Sequence, residues 1–213
     1  MVNQTQLNGN TYQLGPKFGY DIAPSLRPYV QGLYTRYAYD NGVFDGNEYS
    51  LVAGTDFIPR RLFRGTAFVG YKERDYDSAG IPGASGITYG INLTWFATET
   101  LTVNALGAQN FYDSTATSVT GVHSTVNARS AALGADFEAL RNLILSGVAG
   151  YENDDYLSTT RTDDIYSAGV GARYLLNRNW AVLAQYQYSN RQSTASGFSY
   201  DRQLISVALK FSY

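Results

Sequence analysis

Apolar and polar residues alternate with a period of two along almost the whole chain, and this constrains the fold more than any other feature of the sequence. A period of two places successive side chains on opposite faces of a strand. In the last ten residues Ile205, Val207, Leu209, Phe211 and Tyr213 share one parity, while Ser206, Ala208, Lys210 and Ser212 share the other. The same division sets Ile87, Tyr89, Ile91, Leu93 and Trp95 against Thr88, Gly90, Asn92 and Thr94. Further along, Tyr166, Val170 and Tyr174 oppose Ser167, Gly171 and Arg173. Helical periodicity finds no comparable support, and no apolar run approaches the roughly 18 residues of a membrane-crossing helix.

The connections fall into two sizes that take turns. Ala23-Pro24-Ser25, Pro59-Arg60-Arg61, Thr98-Glu99-Thr100, Leu140-Arg141-Asn142 and Asn177-Arg178-Asn179 are short. Between them lie longer polar loops rich in turn formers, such as DNGVFDG and DSTATSVTGVHS. Short turns return about every 36 to 42 residues, the length of one long hairpin and its loop, which predicts an up-and-down meander. The implied strands are about 11 to 15 residues long, beyond the five or six usual in soluble sheets and enough to cross a bilayer.

Which face meets which medium follows from composition. The polar face is built from Gly, Ser, Gln, Lys and Arg, whereas a soluble ligand-binding barrel would turn its apolar face inward. Aromatic residues make up 15% of the chain and charged residues only 16%, below the usual quarter. Aromatic rings recur at the ends of the apolar stripes, at Tyr20, Tyr71, Trp95, Tyr151, Tyr174, Trp180 and Tyr213. A lipid–water interface selects that arrangement. The predicted fold is therefore all-β: a transmembrane antiparallel up-and-down (meander) β-barrel, with Tyr20, Tyr71, Trp95, Tyr174 and Trp180 as membrane-interface aromatics.

Two resemblances extend this reading. Ile205, Val207, Leu209, Phe211 and Tyr213 resemble the C-terminal signature read by the outer-membrane assembly machinery, which would then be a partner. The segments GYDIAPSLRPYV, FRGTAFVGYKERDYD, LRNLILSGVAGYENDDY, RTDDIYSAGVGARYLLNRN and AQYQYSNRQS resemble the β-barrel porin type 2 family of Gram-negative outer-membrane proteins. The resemblance implies an outer-membrane location and, for some members, exopolysaccharide secretion. It supplies no catalytic motif. Met1 leads almost directly into patterned sequence, so the reading expects an exported protein in mature form, without its signal peptide.

Counting strands leaves one matter open. Five short turns join ten strands, and the terminal strand makes eleven, whereas bacterial single-chain barrels have even counts. The first clear strand, over 11–22, runs toward a short turn, so its hairpin partner lies upstream. A short strand over 2–7 would bring the count to about 12, with 1–213 as one barrel domain. The alternative is the C-terminal part of a larger barrel.

Candidate sites are few. Lys17, Asp56, Arg64, Lys72, Asp136, Arg173 and Lys210 fall on the polar face and are candidates to line a lumen. Their mixed signs predict no strong ion selectivity. His123 is the only histidine, and beside Ser124 it gives little support for hydrolytic chemistry. Glu152, Asp154, Asp155, Asp163 and Asp164 gather around one loop that could suit a hard cation, but a charged rim paired to Arg161 accounts for them as well. With no cysteine and a net charge of −2, thiolate chemistry is excluded and nucleic acid is disfavoured as a partner. The expected protein has no catalytic residues, no metal and no cofactor, and its surroundings are outer-membrane lipid or detergent. It is a pore or a polysaccharide-export conduit; the alternative is a closed anchoring barrel without transport.

Overall fold

The computed structural model describes residues 8–57, 62–114 and 124–212. These form one antiparallel sheet. Its strands are β1 (Gly9–Leu14), β2 (Lys17–Gly19), β3 (Leu26–Tyr39), β4 (Gly46–Phe57), β5 (Phe63–Tyr76), β6 (Ala84–Phe96), β7 (Leu101–Ser114), β8 (Ser124–Leu140), β9 (Leu143–Tyr156), β10 (Thr162–Leu175), β11 (Trp180–Ser193) and β12 (Tyr200–Phe211). From β3 to β12 every strand pairs with its sequence neighbour, so the meander carries no crossover among the described residues.

The strand count of twelve arises differently from the expectation. β1 and β2 both pair with β3, and their registers, Leu14↔Tyr34 and Lys17↔Gln31, continue one another. They are one crossing interrupted at Gly15–Pro16, where proline has no N–H to give the ladder. The Pro16 carbonyl still accepts from the Gly32 amide at 3.1 Å, so the register survives the break. The strand expected over 11–22 is thus split, and the sheet makes eleven passes. Residues 2–7, expected to supply the twelfth, lie outside the described residues. The sheet's two edges are β1/β2 and β12.

The short turns are held by local chemistry. The Thr98 hydroxyl accepts from the Thr100 and Leu101 amides, and Asn177 Oδ1 accepts from the Asn179 and Trp180 amides. Gly65 has φ +139°, and a Cβ there would lie 1.8 Å from the Asn92 carbonyl oxygen. Only glycine suits that position.

Apolar side chains of the outer face stand in the open: Leu51, Val69, Ile87, Val170 and Val207 are all exposed. Tyr20, Tyr71, Trp95, Tyr174 and Trp180 are exposed on the same face. Burial is concentrated elsewhere. Phe44, Ile81, Ala84, Phe111, Val126 and Tyr156 are buried at the long-loop end, and so are the charged residues Glu48, Arg74, Asp154, Arg161 and Asp163. The packed part of the molecule is therefore one end of the inner face, and it is largely polar.

Candidate functional site: a charge-locked arm at the loop end

The register puts Lys17, Asp56, Arg64, Lys72, Asp136, Arg173 and Lys210 on the face that carries the buried loop-end charges. Their partners differ. Lys17 Nζ lies 2.9 Å from Asp56 and 3.7 Å from the centre of the Tyr29 ring. Asp136 accepts from the Ser146 hydroxyl at 2.6 Å. Lys72 lies 3.3 Å from Glu48. Arg64, Arg173 and Lys210 have no ion-pair partner among the described residues. Tyr213 and His123 lie outside the described residues. Ser124 is buried; its hydroxyl donates to the Thr125 carbonyl and accepts from the Ser158 amide, a pin between two loops.

The main feature of the inner face was not anticipated. β6 and β7 pair only from Gly90↔Ala108 to Phe96↔Thr102, while β7 and β8 stay paired out to Ser114↔Ser124. Beyond Ala108 the β7–β8 arm therefore leaves the edge of β6 and lies across its inner face. The Thr88 hydroxyl donates to the Gln109 carbonyl at 3.1 Å, and a Cβ on Gly86 would lie 3.9 Å from the Phe111 ring. Asp113 then reaches past β6 altogether. It accepts from Arg74 Nη2 at 2.5 Å, Tyr76 Oη at 2.6 Å and Tyr39 Oη at 2.7 Å, donors that come from β5 and β3. The Thr125 hydroxyl donates to Tyr76 Oη at 2.7 Å.

The opposite side of the arm is gripped as well. The Tyr112 hydroxyl donates to Asp154 Oδ2 at 2.9 Å, and Arg191 lies 3.6 Å from Asp154 and 3.5 Å from Asp163. Arg161 pairs with Asp163 at 2.5 Å and stacks between Tyr156 and Phe198, with its guanidinium carbon 4.2 and 3.7 Å from the ring centres. Ser124, Thr125 and Val126 are all fully buried, which alternation forbids for a wall strand with one exposed face. Both faces of the arm are covered. Lys72 and Arg74 meet Glu48 and Asp113 on one side; on the other, Arg161 and Arg191 meet Asp154 and Asp163, with the Glu152 carboxyl beside Asp154.

The acidic loop cluster divides between the faces. Asp154 and Asp163 point inward, while Asp164 faces out and accepts from Tyr151 and Asn153. No group of three or more metal-ligating side chains occurs among the described residues. Outside the strands, a hydrogen bond from Arg36 holds the Asp77 carboxyl below its usual range, and Arg27 does the same for Asp21.

A long-stranded antiparallel meander, apolar outside and charged inside, defines an outer-membrane β-barrel. Solved structures agree on the fold. A porin refined at 1.8 Å resolution aligns with a TM-score of 0.54 at 14% identity, over 92% of this chain and 60% of its own. In-vitro folded OmpT, an outer membrane protein of Vibrio cholerae, aligns with a TM-score of 0.53 at 10% identity, over 96% and 81% of the two chains. Its trimer form aligns with a TM-score of 0.51 at 12% identity, over 97% and 85%. No curated protein sequence matches the chain. The family model described as Putative beta-barrel porin 2 matches residues 1–213, and the chain belongs to that family. It is a porin-like channel protein of the bacterial outer membrane.

Proposed function

We propose that the protein is a passive passage for solutes or exported polysaccharide, narrowed at its loop-end mouth by the inward β7–β8 arm, and that it performs no catalysis. Lys17, Asp56, Arg64, Lys72, Asp136, Arg173 and Lys210 then line the lumen, and the terminal strand with its aromatic ending addresses the chain to the assembly machinery. The observation that carries this reading is the grip on Asp113 by Arg74, Tyr76 and Tyr39 across the width of β6. An arm held by side-chain pairs, rather than by the strand ladder on both sides, can swing without unzipping the wall. The grip also leaves bonding capacity unused: Arg74 Nε, Gln109 Oε1 and Asp154 Oδ1 are buried without a hydrogen-bond partner among the described residues. Each such atom costs about 1–3 kcal/mol, which narrows the gap to an open arrangement.

The closed anchoring barrel is the competing reading, and the burial of charge on both faces of the arm favours it. Planar-bilayer conductance separates the two. A passage should show discrete conductance steps, larger or more frequent in Asp113→Ala. Absence of conductance in both proteins would leave the closed barrel.

A further inference from the structure

The inner face away from the arm carries a second feature. Two adjoining hollows of about 270 and 290 Å³ run along β7 to β12 and share Val148, Gly169 and Gln187. Glycines at 134, 169 and 171 lower the floor. The walls offer the amides of Asn104, Gln185 and Gln187 and the hydroxyls of Ser146, Ser167 and Ser189, groups that both donate and accept. Leu106, Val148 and Leu204 add apolar patches between them.

Three cations stand along this trough. Arg202 lines one hollow, and the register places Lys210 on the same face of β12, eight residues nearer the turn end. At about 3.4 Å per residue their backbones are roughly 27 Å apart. Arg173 lies level with Ala208 through Leu183, two strands from β12 and so roughly 10 Å across the sheet. None of the three has an ion-pair partner among the described residues. The inner carboxylates Asp56, Glu48, Asp113, Asp154 and Asp163 are paired with other cations, whereas Asp136, which lines the first hollow, accepts from the Ser146 hydroxyl, and Glu138 lies on the same face level with Arg173. Mixed signs in the sequence therefore cancel only in part: three cations stand along the trough against Asp136 and Glu138, and the excess is positive.

We propose that the trough binds an elongated, hydroxylated polyanion of the acidic-oligosaccharide class. Guanidinium groups take carboxylates through paired hydrogen bonds, amides and serines take ring hydroxyls, and the leucines and valine take the C–H faces of the rings. Bases of a nucleic acid would want aromatic platforms, and the inward side chains of the two hollows include none. This inference rests on the passage reading for its physiological sense, but it is measured separately.

The test is calorimetric titration of the refolded protein in detergent with a hexamer of mannuronate and, in parallel, with maltohexaose. The acidic hexamer should bind at least ten-fold more tightly, with affinity falling as salt rises. The triple variant Arg173→Gln, Arg202→Gln, Lys210→Gln should lose ten-fold or more, while Arg129→Gln, on the outer face, should bind as the parent does. Equal affinity for both hexamers overturns the proposal without recourse to any variant, and so does parental binding by the folded triple variant. Binding without bilayer conductance would refute the passage and leave the site standing. Conductance without binding would refute the site alone.

Discussion

If Asp113 is the latch of the β7–β8 arm, its bond to Arg74 should appear as a coupling energy rather than as two independent losses. Both side chains are nearly dry, at 2% and 3% exposure. Arg74→Met removes the 2.5 Å bond to Asp113, the longer 3.9 Å pair with Glu48 and the stacking over Tyr37 at 3.9 Å. Breaking one side of a buried ion pair costs about 3–5 kcal/mol, because the remaining charge stays desolvated. Here the hydroxyls of Tyr39 and Tyr76 still serve Asp113, and Lys72 still serves Glu48, so the cost should fall at about 3 kcal/mol. Asp113→Asn should cost about 2 kcal/mol, since the amide oxygen keeps part of the tyrosine bonding. Urea unfolding from lipid vesicles should then show the double variant losing about 1.5–3 kcal/mol less than the sum of the singles. The same cycle on Arg36 and Asp77, paired at 2.7 Å but exposed, should show negligible coupling. Additivity within about 0.5 kcal/mol at Arg74 and Asp113 would refute the latch.

Leu93→Arg should destabilise the membrane-inserted barrel by about 2–4 kcal/mol, and the inward Asn92→Arg by much less; equal penalties would contradict the assignment of faces. Gly65→Ala should cost about 1–3 kcal/mol in the same unfolding assay, because a side chain is forced into a backbone region it avoids and against Asn92; an unchanged midpoint would count against that conformation. If the C-terminal strand carries the proposed address, deleting 211–213 should impair assembly in cells more than refolding into detergent, where the loss is that of Phe211, whose ring packs 4.8 Å from Trp180. Normal assembly of the shortened chain would count against the address.

Much of the wall was legible because a period of two is a local property. The faces read from Tyr166 to Tyr174 match the register of β10 with β11, where Tyr166, Val170 and Tyr174 meet Asn190, Tyr186 and Val182 on the outer face. Turn positions followed from proline, asparagine and threonine chemistry, again within a few residues. The arm was not legible. Its outward parity, apolar at Val103 and Ala105, turns polar at Gln109 and charged at Asp113, a local break that by itself does not say where β7 has gone. A further hint is a cluster of ionisable residues at the loop ends, Glu48, Arg74, Asp113, Asp154 and Asp163, too many for strand ends expected to meet only solvent. The split of the first crossing was legible in principle from Pro16, which cannot donate within a ladder.

A barrel in lipid cannot draw its inner stability from an apolar core, because its apolar face is already committed to the bilayer. Whatever holds the inner face together must be polar, and a polar core is stable only where charges are paired and bonded. That requirement explains why most of the buried residues among those described gather at one end. There, tyrosine hydroxyls can bridge between strands that are not neighbours, as Tyr39 and Tyr76 do at Asp113, and arginines can stack on rings while they bind carboxylates. Spending most inner carboxylates on that end has a consequence at the other. Among the inner acids toward the turn end, Asp56 is held by Lys17, while Asp136 keeps its charge beside Ser146 and offsets part of the field of Arg173, Arg202 and Lys210. The same distribution of charge that latches the arm therefore leaves the trough with more cations than carboxylates, and the proposed preference for an acidic chain would follow from that one partition.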